Sequence, residues 1–301
     1  MKQYDVVIIG GGPAGYSAAL YSARGMLSTL VVNRGADGGQ MVNARQIDNY
    51  PGAGVGMGGW DLGEKMKDQA VQFGAEIKNG TVASVELTGQ LKTVTLSDGT
   101  EITARVVILA MGAYPRPLGG KGEAEFRGKG VSYCATCDGM FFRKKTVAVV
   151  GGGDTAIEDA LLLAKTCEKV YLIHRRDTFR AAPVEVELAK NTENIELVLC
   201  DTVEEICGEQ KVTEVKLHSG RTLAVDGVFV AVGIIPDTEL VKEQVTLNAQ
   251  GYVVADETTK TNLPGVYVAG DLRVKPLRQV ITAASDGAVA ATQAIRELLG
   301  I

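Results

Sequence analysis

Apolar runs along this chain end repeatedly in glycine, and that punctuation gives the first outline of the fold. Tyr4 to Ile9 is a short apolar run, followed by Gly10-Gly11-Gly12-Pro13-Ala14-Gly15 and an Ala-rich segment to about Ala23. The order predicts strand, glycine turn and helix. Thr29 to Val32 reads as the next strand and Asp61 to Phe73 as an amphipathic helix, with an irregular glycine-rich loop from Gly52 to Gly59 between them. Thr81–Leu87, Lys92–Leu96 and Glu101–Thr103 alternate like strands, with Asp98-Gly99 as a hairpin turn. Val106 to Ala110 is a buried strand running into Met111-Gly112.

The same pattern then returns. Thr146 to Val150 predicts a strand, Gly151-Gly152-Gly153-Asp154-Thr155-Ala156 a turn, Ile157 to Lys165 a helix and Val170 to Ile173 the next strand. Val228 to Gly233 echoes Val107 to Gly112. The chain returns through Gly251-Tyr252-Val253-Val254 to the strand-like Gly265 to Ala269, then Gly270-Asp271 and a helical stretch from Ile281 to Leu299. Two glycine-rich βαβ units about 140 residues apart predict an α/β protein with two Rossmann-like dinucleotide-binding domains and two separate nucleotide sites. Tyr114-Pro115-Arg116-Pro117 marks a domain boundary.

Length and charge agree with that outline. The 301 residues suit about two domains, each able to bury a core. A net charge of −5 argues against nucleic acid or an anionic membrane as the main partner, and no apolar run approaches the roughly 18 residues of a membrane span. Gly10-Gly11-Gly12-Pro13 interrupts the first apolar run too early for a secretory signal. Five cysteines, an odd count without a disulfide framework, favour a reducing cytoplasm.

The chemistry concentrates in Cys134-Ala135-Thr136-Cys137-Asp138-Gly139. A disulfide across two residues closes so small a ring that it stabilises by only about 2 kcal/mol, so redox chemistry explains it better than stability. Zinc needs four ligands, and neither His174 nor His218 pairs with this motif; buried structural thiols are the other alternative. Asp138 stands where a carboxyl group can exchange a proton with a thiolate. Cys167, Cys200 and Cys207, expected on helix, strand and loop, receive no role.

Gly10, Gly12 and Gly15 fit G-x-G-x-x-G between strand and helix: one glycine for the turn, one for approach to a pyrophosphate, one for helix packing. The acid expected at the end of the second strand is replaced by Asn33, so Gly38-Gly39-Gln40 is the candidate loop for the ribose side. In the second unit the ribose position reads His174-Arg175-Arg176, with Arg180 beyond. Arginines there bind a 2′-phosphate; two charge-assisted bonds at about 1.5–3 kcal/mol each favour NADPH over NADH by about two to four orders of magnitude. Asp271 reads equally as a ligand of a ribityl chain or as a helix cap.

Together these residues resemble the low-molecular-weight, bacterial-type thioredoxin reductases of the class II pyridine nucleotide-disulfide oxidoreductases, over essentially the whole chain. Gly10 to Gly15, Gly38-Gly39-Gln40, Asn49-Tyr50-Pro51-Gly52, Gly270-Asp271 and Arg278-Gln279-Val280 look like the family's FAD elements. Gly151 to Ala156 with His174, Arg175, Arg176 and Arg180 look like its NADPH elements. The resemblance adds Val82 and Gly112 to the FAD set and Gly233 to the NADPH set. Met111 departs from the family's usual Thr, and Val280 stands where Ala is also common.

The resemblance implies three-layer ββα domains, an FAD domain at 1–113 and 246–301, and an NADPH domain at 114–245 carrying the C-x-x-C. It also implies a homodimer, thioredoxin or a thioredoxin-like protein as substrate, and rotation about joints near Tyr114–Pro117 and Gln244–Thr246. Electrons would run from NADPH to FAD to Cys134–Cys137, with Cys137 nearer the flavin, Asp138 giving the proton, Cys134 attacking thioredoxin and Cys137 resolving. A dithiol oxidase or a ferredoxin-fed reductase would not need Arg175, Arg176 and Arg180. A peroxide-detoxifying reductase module would carry an extra redox domain, and a non-catalytic nucleotide sensor would not need both thiols.

Overall fold

The computed structural model describes residues 2–44 and 46–301 and falls into two compact units. One comprises Met1–Tyr114 with Ile235–Ile301, the other Pro115–Ile234, so the chain crosses between them twice. The second crossing lies after Ile234, whereas the sequence suggested a joint at Gln244–Thr246. The intervening residues group with the first unit because Val241 and Val245 are buried in its core.

In the first unit, Lys2–Ile9 pairs in parallel with Thr29–Asn33 on one side and Glu101–Leu109 on the other, and Glu76–Asn79 adds a further parallel strand. Glu101–Leu109 serves two more neighbours. Its first half pairs antiparallel with Lys92–Leu96, and its second half pairs in parallel with Val266–Val268. The sequence pattern suggested two strands here. They are one, with Arg105 at an exposed position of the alternation, paired with Asp5 at 3.2 Å.

The central strand buries both faces, which is why it reads as a continuous apolar run. Val7 and Ile9 meet Leu87, Val94 and Leu96 of the antiparallel layer, while Val6 and Ile8 meet the helical layer of Pro13–Arg24 and Val280–Leu299. Those two helices pack closely through small residues. A β-carbon on Gly287 would stand 2.1 Å from the Ala14 carbonyl oxygen.

The second unit repeats the plan. Its parallel sheet runs Ile195–Leu199, Lys169–His174, Thr146–Gly151, Gly227–Ala231, Val131–Ser132. An antiparallel layer of Val203–Gly208, Val212–Leu217 and Thr222–Ala224 covers one face, and Asp154–Ala164 with Pro183–Lys190 covers the other. The chain is thus an α/β protein of two three-layer Rossmann-like units.

Three cysteines lie off their expected elements. Cys167 follows the helix, which ends at Ala164, whose carbonyl accepts Asn194 Nδ2 at 2.8 Å. Cys200 lies just past its strand, with φ at 57°, and Cys207 is within Val203–Gly208.

Replacing Gly287 with Ala forces a methyl group into the Ala14 carbonyl, and overpacking of this kind costs about 1–3 kcal/mol. Thermal unfolding should show a lowered melting temperature for Gly287→Ala, and an unchanged one would contradict the packing described.

Candidate redox and dinucleotide-binding sites

Cys134 and Cys137 form a disulfide with Cα atoms 5.3 Å apart. The geometry follows from a single helical turn, Ala135–Asp138, that begins immediately after Cys134. Cys134 has extended backbone and its carbonyl accepts the amides of Cys137 (3.3 Å) and Asp138 (3.1 Å). Cys137 is exposed and Cys134 half-buried.

Asp138 is held from behind. Ser132 Oγ donates to Asp138 Oδ2 at 2.6 Å and accepts the Cys134 amide at 3.1 Å, linking acid and cysteine through one hydroxyl. Burial pushes the Asp138 carboxyl above the usual carboxylate range, with the Ser132 bond opposing. A carboxyl group so placed can hold a proton beside the sulfur pair. Ser132 was not singled out from sequence. Its only signal is a hydroxyl two residues before Cys134 at the end of a short strand.

In the first unit, the three motif glycines have three different reasons to be glycine. Gly10 has φ of 117°, and a β-carbon there would lie 2.3 Å from Ala110 O. One on Gly15 would lie 1.9 Å from Gly10 O, whereas one on Gly12 would meet nothing nearer than the Gly39 Cα at 4.0 Å. Gly12 caps helix Pro13–Arg24 in extended backbone, with Pro13 as first helical residue. The open backbone therefore lies at a helix N-terminus, where amides face an anion.

Asn33 is not presented to a ligand. It is buried under Gly11, whose β-carbon would meet its side chain at 2.5 Å, and its Nδ2 bonds Gly35 O and Asp37 Oδ1, both at 3.0 Å. Asp37 also accepts Lys67 Nζ at 2.9 Å and the Tyr16 hydroxyl, anchoring the loop that carries Gly38, Gly39 and Gln40. Gly39 lies against Gly12, and Gly38 N–H donates to Gly11 O at 2.7 Å. Gln40 continues into the short helix Gly39–Asn43.

The other residues expected at this site lie in the same unit, and Gly270 touches the turn. Gly270 (φ 78°) abuts Ala14, where a β-carbon would stand 2.9 Å from the Ala14 Cβ. Next to it, Asp271 Oδ1 is buried without a hydrogen-bond partner, and burial raises its carboxyl while Lys275 and Arg278 oppose. Arg278 Nε reaches Asp271 O at 3.4 Å and its guanidinium lies 4.0 Å over the Tyr252 ring. Asn49 Nδ2 donates to Gln279 Oε1 at 3.0 Å, and Gln279 caps the helix that starts at Val280. Val82 lies two residues after Gly80, whose amide donates to Asn33 O at 2.9 Å, and Gly112 (φ 75°) accepts the Asp237 amide at 3.0 Å. An open glycine at a helix start and an orphaned buried carboxylate oxygen beside it fit a dinucleotide with hydroxyl groups to donate.

The second unit reproduces this arrangement. A β-carbon on Gly151 would stand 2.3 Å from Ala231 O, one on Gly152 would strike the His174 ring, and one on Gly153 would meet nothing within 4 Å. Gly153 caps the helix begun by Asp154 and Thr155. His174 is buried beneath the turn, its Nε2 3.1 Å from Thr178 O and its ring stacked on Phe179. Desolvation, and then the neighbouring arginines, lower its pKa.

Arg175, Arg176 and Arg180 are exposed, and none is in an ion pair among the described residues. Arg180 is fixed by its amide on Gly152 O at 2.8 Å, and Asp154 Oδ1 takes the Ala182 amide at 3.0 Å. Gly233 (φ 117°) accepts the Arg116 amide at 2.9 Å. Three exposed guanidiniums next to an open glycine turn fit a nucleotide with an additional phosphate.

A family model described as pyridine nucleotide-disulphide oxidoreductase matches residues 4–287. A thioredoxin reductase of Listeria innocua is 46% identical over 299 residues, covering 97% of this chain and 93% of the relative. A bifunctional thioredoxin reductase/thioredoxin of Mycobacterium leprae is 44% identical, covering 98% of this chain and 66% of the relative. Among solved structures, the thioredoxin reductase from Streptococcus pyogenes superposes with a TM-score of 0.94 at 40% identity, over 99% of each chain.

Because Gly153 has room for a methyl group and ordinary backbone, Gly153→Ala should fold with an unchanged melting temperature yet lose affinity for pyridine nucleotide by about tenfold or more. Calorimetric titration checks this, and unchanged affinity would exclude this turn as the binding surface. Ser132→Ala removes the bond that favours the ionised Asp138, so its pKa rises. If protonated Asp138 is the proton donor, the fall in turnover on the alkaline side should move to higher pH. A profile that stays in place would contradict the role given to Asp138.

Proposed function

The chain belongs to the pyridine nucleotide-disulphide oxidoreductase family, and from that membership we infer that it is a thioredoxin-disulfide reductase using a flavin and a nicotinamide nucleotide. The observation that carries the reading is the Cys134–Cys137 pair with Asp138 beside it, in a chain that also holds two glycine turns of the dinucleotide type.

We assign FAD to the first unit, on Gly10, Gly12, Pro13, Ala14 and Gly15, with Gly38, Gly39, Gln40, Asn49, Val82, Gly112, Gly270, Asp271, Arg278, Gln279 and Val280 around it. We assign NADPH to Gly151, Gly152, Gly153, Asp154 and Thr155, with Gly233 beside them and Arg175, Arg176 and Arg180 on the 2′-phosphate. His174 serves from below by supporting Gly152. FAD, when bound, accepts a hydride from NADPH and supplies two electrons to a disulfide, which no side chain can do.

The protein's own groups then carry the exchange. Opening the Cys134–Cys137 bond yields two sulfurs, one protonated by Asp138 and one kept as thiolate. The Cys134 thiolate attacks one sulfur of the thioredoxin disulfide, forming a mixed disulfide and releasing the other thioredoxin thiolate. Cys137 attacks Cys134 Sγ, re-forms the internal disulfide and releases the second thiolate. Cys137 is the more exposed of the two, so attack by Cys134 rests on resemblance to the family. The same resemblance supports a homodimer, a cytoplasmic location and rotation of the unit Pro115–Ile234 against the rest of the chain between half-reactions. Among the described residues no helix is long and apolar enough to cross a membrane.

Two substitutions separate the cysteine roles. Cys134→Ser should abolish thioredoxin reduction while NADPH still bleaches the flavin, and Cys137→Ser should accumulate a covalent adduct with thioredoxin through Cys134. An adduct in the Cys134→Ser protein instead would reverse the assignment, and continued turnover of either variant would reject the mechanism. Replacing Arg175 and Arg176 with Ala should lower kcat/KM for NADPH by about two to four orders of magnitude and leave that for NADH unchanged. Equal losses for the two nucleotides would remove the 2′-phosphate from this site.

A further inference from the structure

Asp286 lies in the interior of helix Val280–Leu299 and is only 6% exposed. Its Oδ2 accepts the Gly270 amide at 3.0 Å, Arg273 Nε at 3.2 Å and Lys275 Nζ at 2.7 Å, and its Oδ1 accepts Arg273 Nη2 at 3.0 Å. Lys275 Nζ also donates to Thr282 O at 3.1 Å. Thr282 Oγ1 in turn accepts the Gln279 amide at 3.1 Å in the box that caps the helix. Arg273 reaches the other way, to Asp256 O at 3.0 Å and Glu257 Oε1 at 3.3 Å.

One carboxylate therefore ties together the strand-end turn Gly270-Asp271 and the first turn of the helix that carries Gln279 and Val280. Burying an acid and two cations is poor value for stability alone, since well-packed apolar groups of similar volume serve as well or better. The ties lead instead to Asp271, whose Oδ1 is buried with no bond inside the protein. Neither Asp286, Arg273 nor Lys275 is exposed enough to reach a ligand; their side chains are 9%, 5% and 4% exposed.

We propose that Asp286, with Lys275 and Arg273, is the positioning device of the flavin site, holding the Asp271 carboxylate and the Gln279–Val280 helix start in one fixed relation so that both meet FAD. The inference rests on the assignment of FAD to the first unit. Burial is the main influence raising the Asp271 carboxyl, and Lys275 and Arg278 oppose it, so Lys275 favours the ionised form as well as tying down the helix start.

The test uses the holoenzyme and reads flavin release, through the rise in free-flavin fluorescence on dilution across a range of pH, together with the flavin reduction potential. Lys275→Met leaves the Arg273–Asp286 pair intact and should fold. It should weaken FAD retention about tenfold, the worth of one bond to a charged group. It should also move the acid-side loss of FAD to higher pH, because a cation favouring the Asp271 carboxylate is gone. Lys275→Arg should restore both, and Asp286→Asn should weaken retention further.

A purely structural cluster would lower the melting temperature of Lys275→Met but leave its FAD retention, pH dependence and potential at wild-type values, and that result overturns the inference. If the wild-type protein itself carries no FAD, the assignment of FAD to the first unit fails instead, which is a different result from the same experiment.

Discussion

The rest of the structure depends on a contact that a β-carbon would forbid. Gly10 lies against Ala110 O and Gly151 against Ala231 O, each so close that a methyl group would sit 2.3 Å away. Backbone against backbone at that distance lets the strand end, the chain turn and the helix begin within three residues. The helix then starts at Gly12 and at Gly153, where a β-carbon would meet nothing nearer than 4.0 Å. The same solution is finished differently in each unit. Asn33 fills the space under Gly11 and leads into a glycine loop anchored by Asp37, whereas His174 fills the space under Gly152 and leads into three exposed arginines. The two units thus diverge just beyond a shared turn.

Three acids show how the surroundings of a carboxyl divide the work. Asp138 has one hydroxyl donor and a half-buried position, which suits a group that holds and gives a proton. Asp271 has a buried oxygen with no donor inside the protein, which suits a group that waits for a ligand. Asp286 takes four hydrogen bonds from an amide and two cations, which suits a group that holds others in place. Exposure alone does not sort them, since Asp138 and Asp271 are both half-buried.

The parts legible in the sequence were those in which a local constraint leaves a residue type behind. Glycine at 10, 12 and 15 and at 151 and 153, two cysteines three positions apart and arginines after a strand each record a requirement of the nearby backbone or charge. Long-range bonds leave no such mark. Ser132 is one serine among many until a fold brings it to Asp138, and Asp286 reads as one acid on a mostly apolar helix. Glu76–Asn79 was missed because it is a short edge strand without buried positions, and Val203–Gly208 because its register slips twice against its neighbour. Pro183–Lys190 shows no inward stripe, since Val184 and Leu188 face solvent and only Ala189 is buried. The second crossing between units was misplaced because nothing in residues 235–245 shows locally that Val241 and Val245 belong to the first core.

The central claim is an electron path that begins at the turn marked by arginines and ends at Cys134–Cys137. The most direct measurement is an anaerobic titration of the purified, FAD-loaded protein with NADPH and, separately, NADH, following flavin bleaching and free thiols together. The account predicts bleaching at low NADPH, two new thiols per chain and little response to NADH. Absence of response to either nucleotide, or bleaching without new thiols, would contradict it.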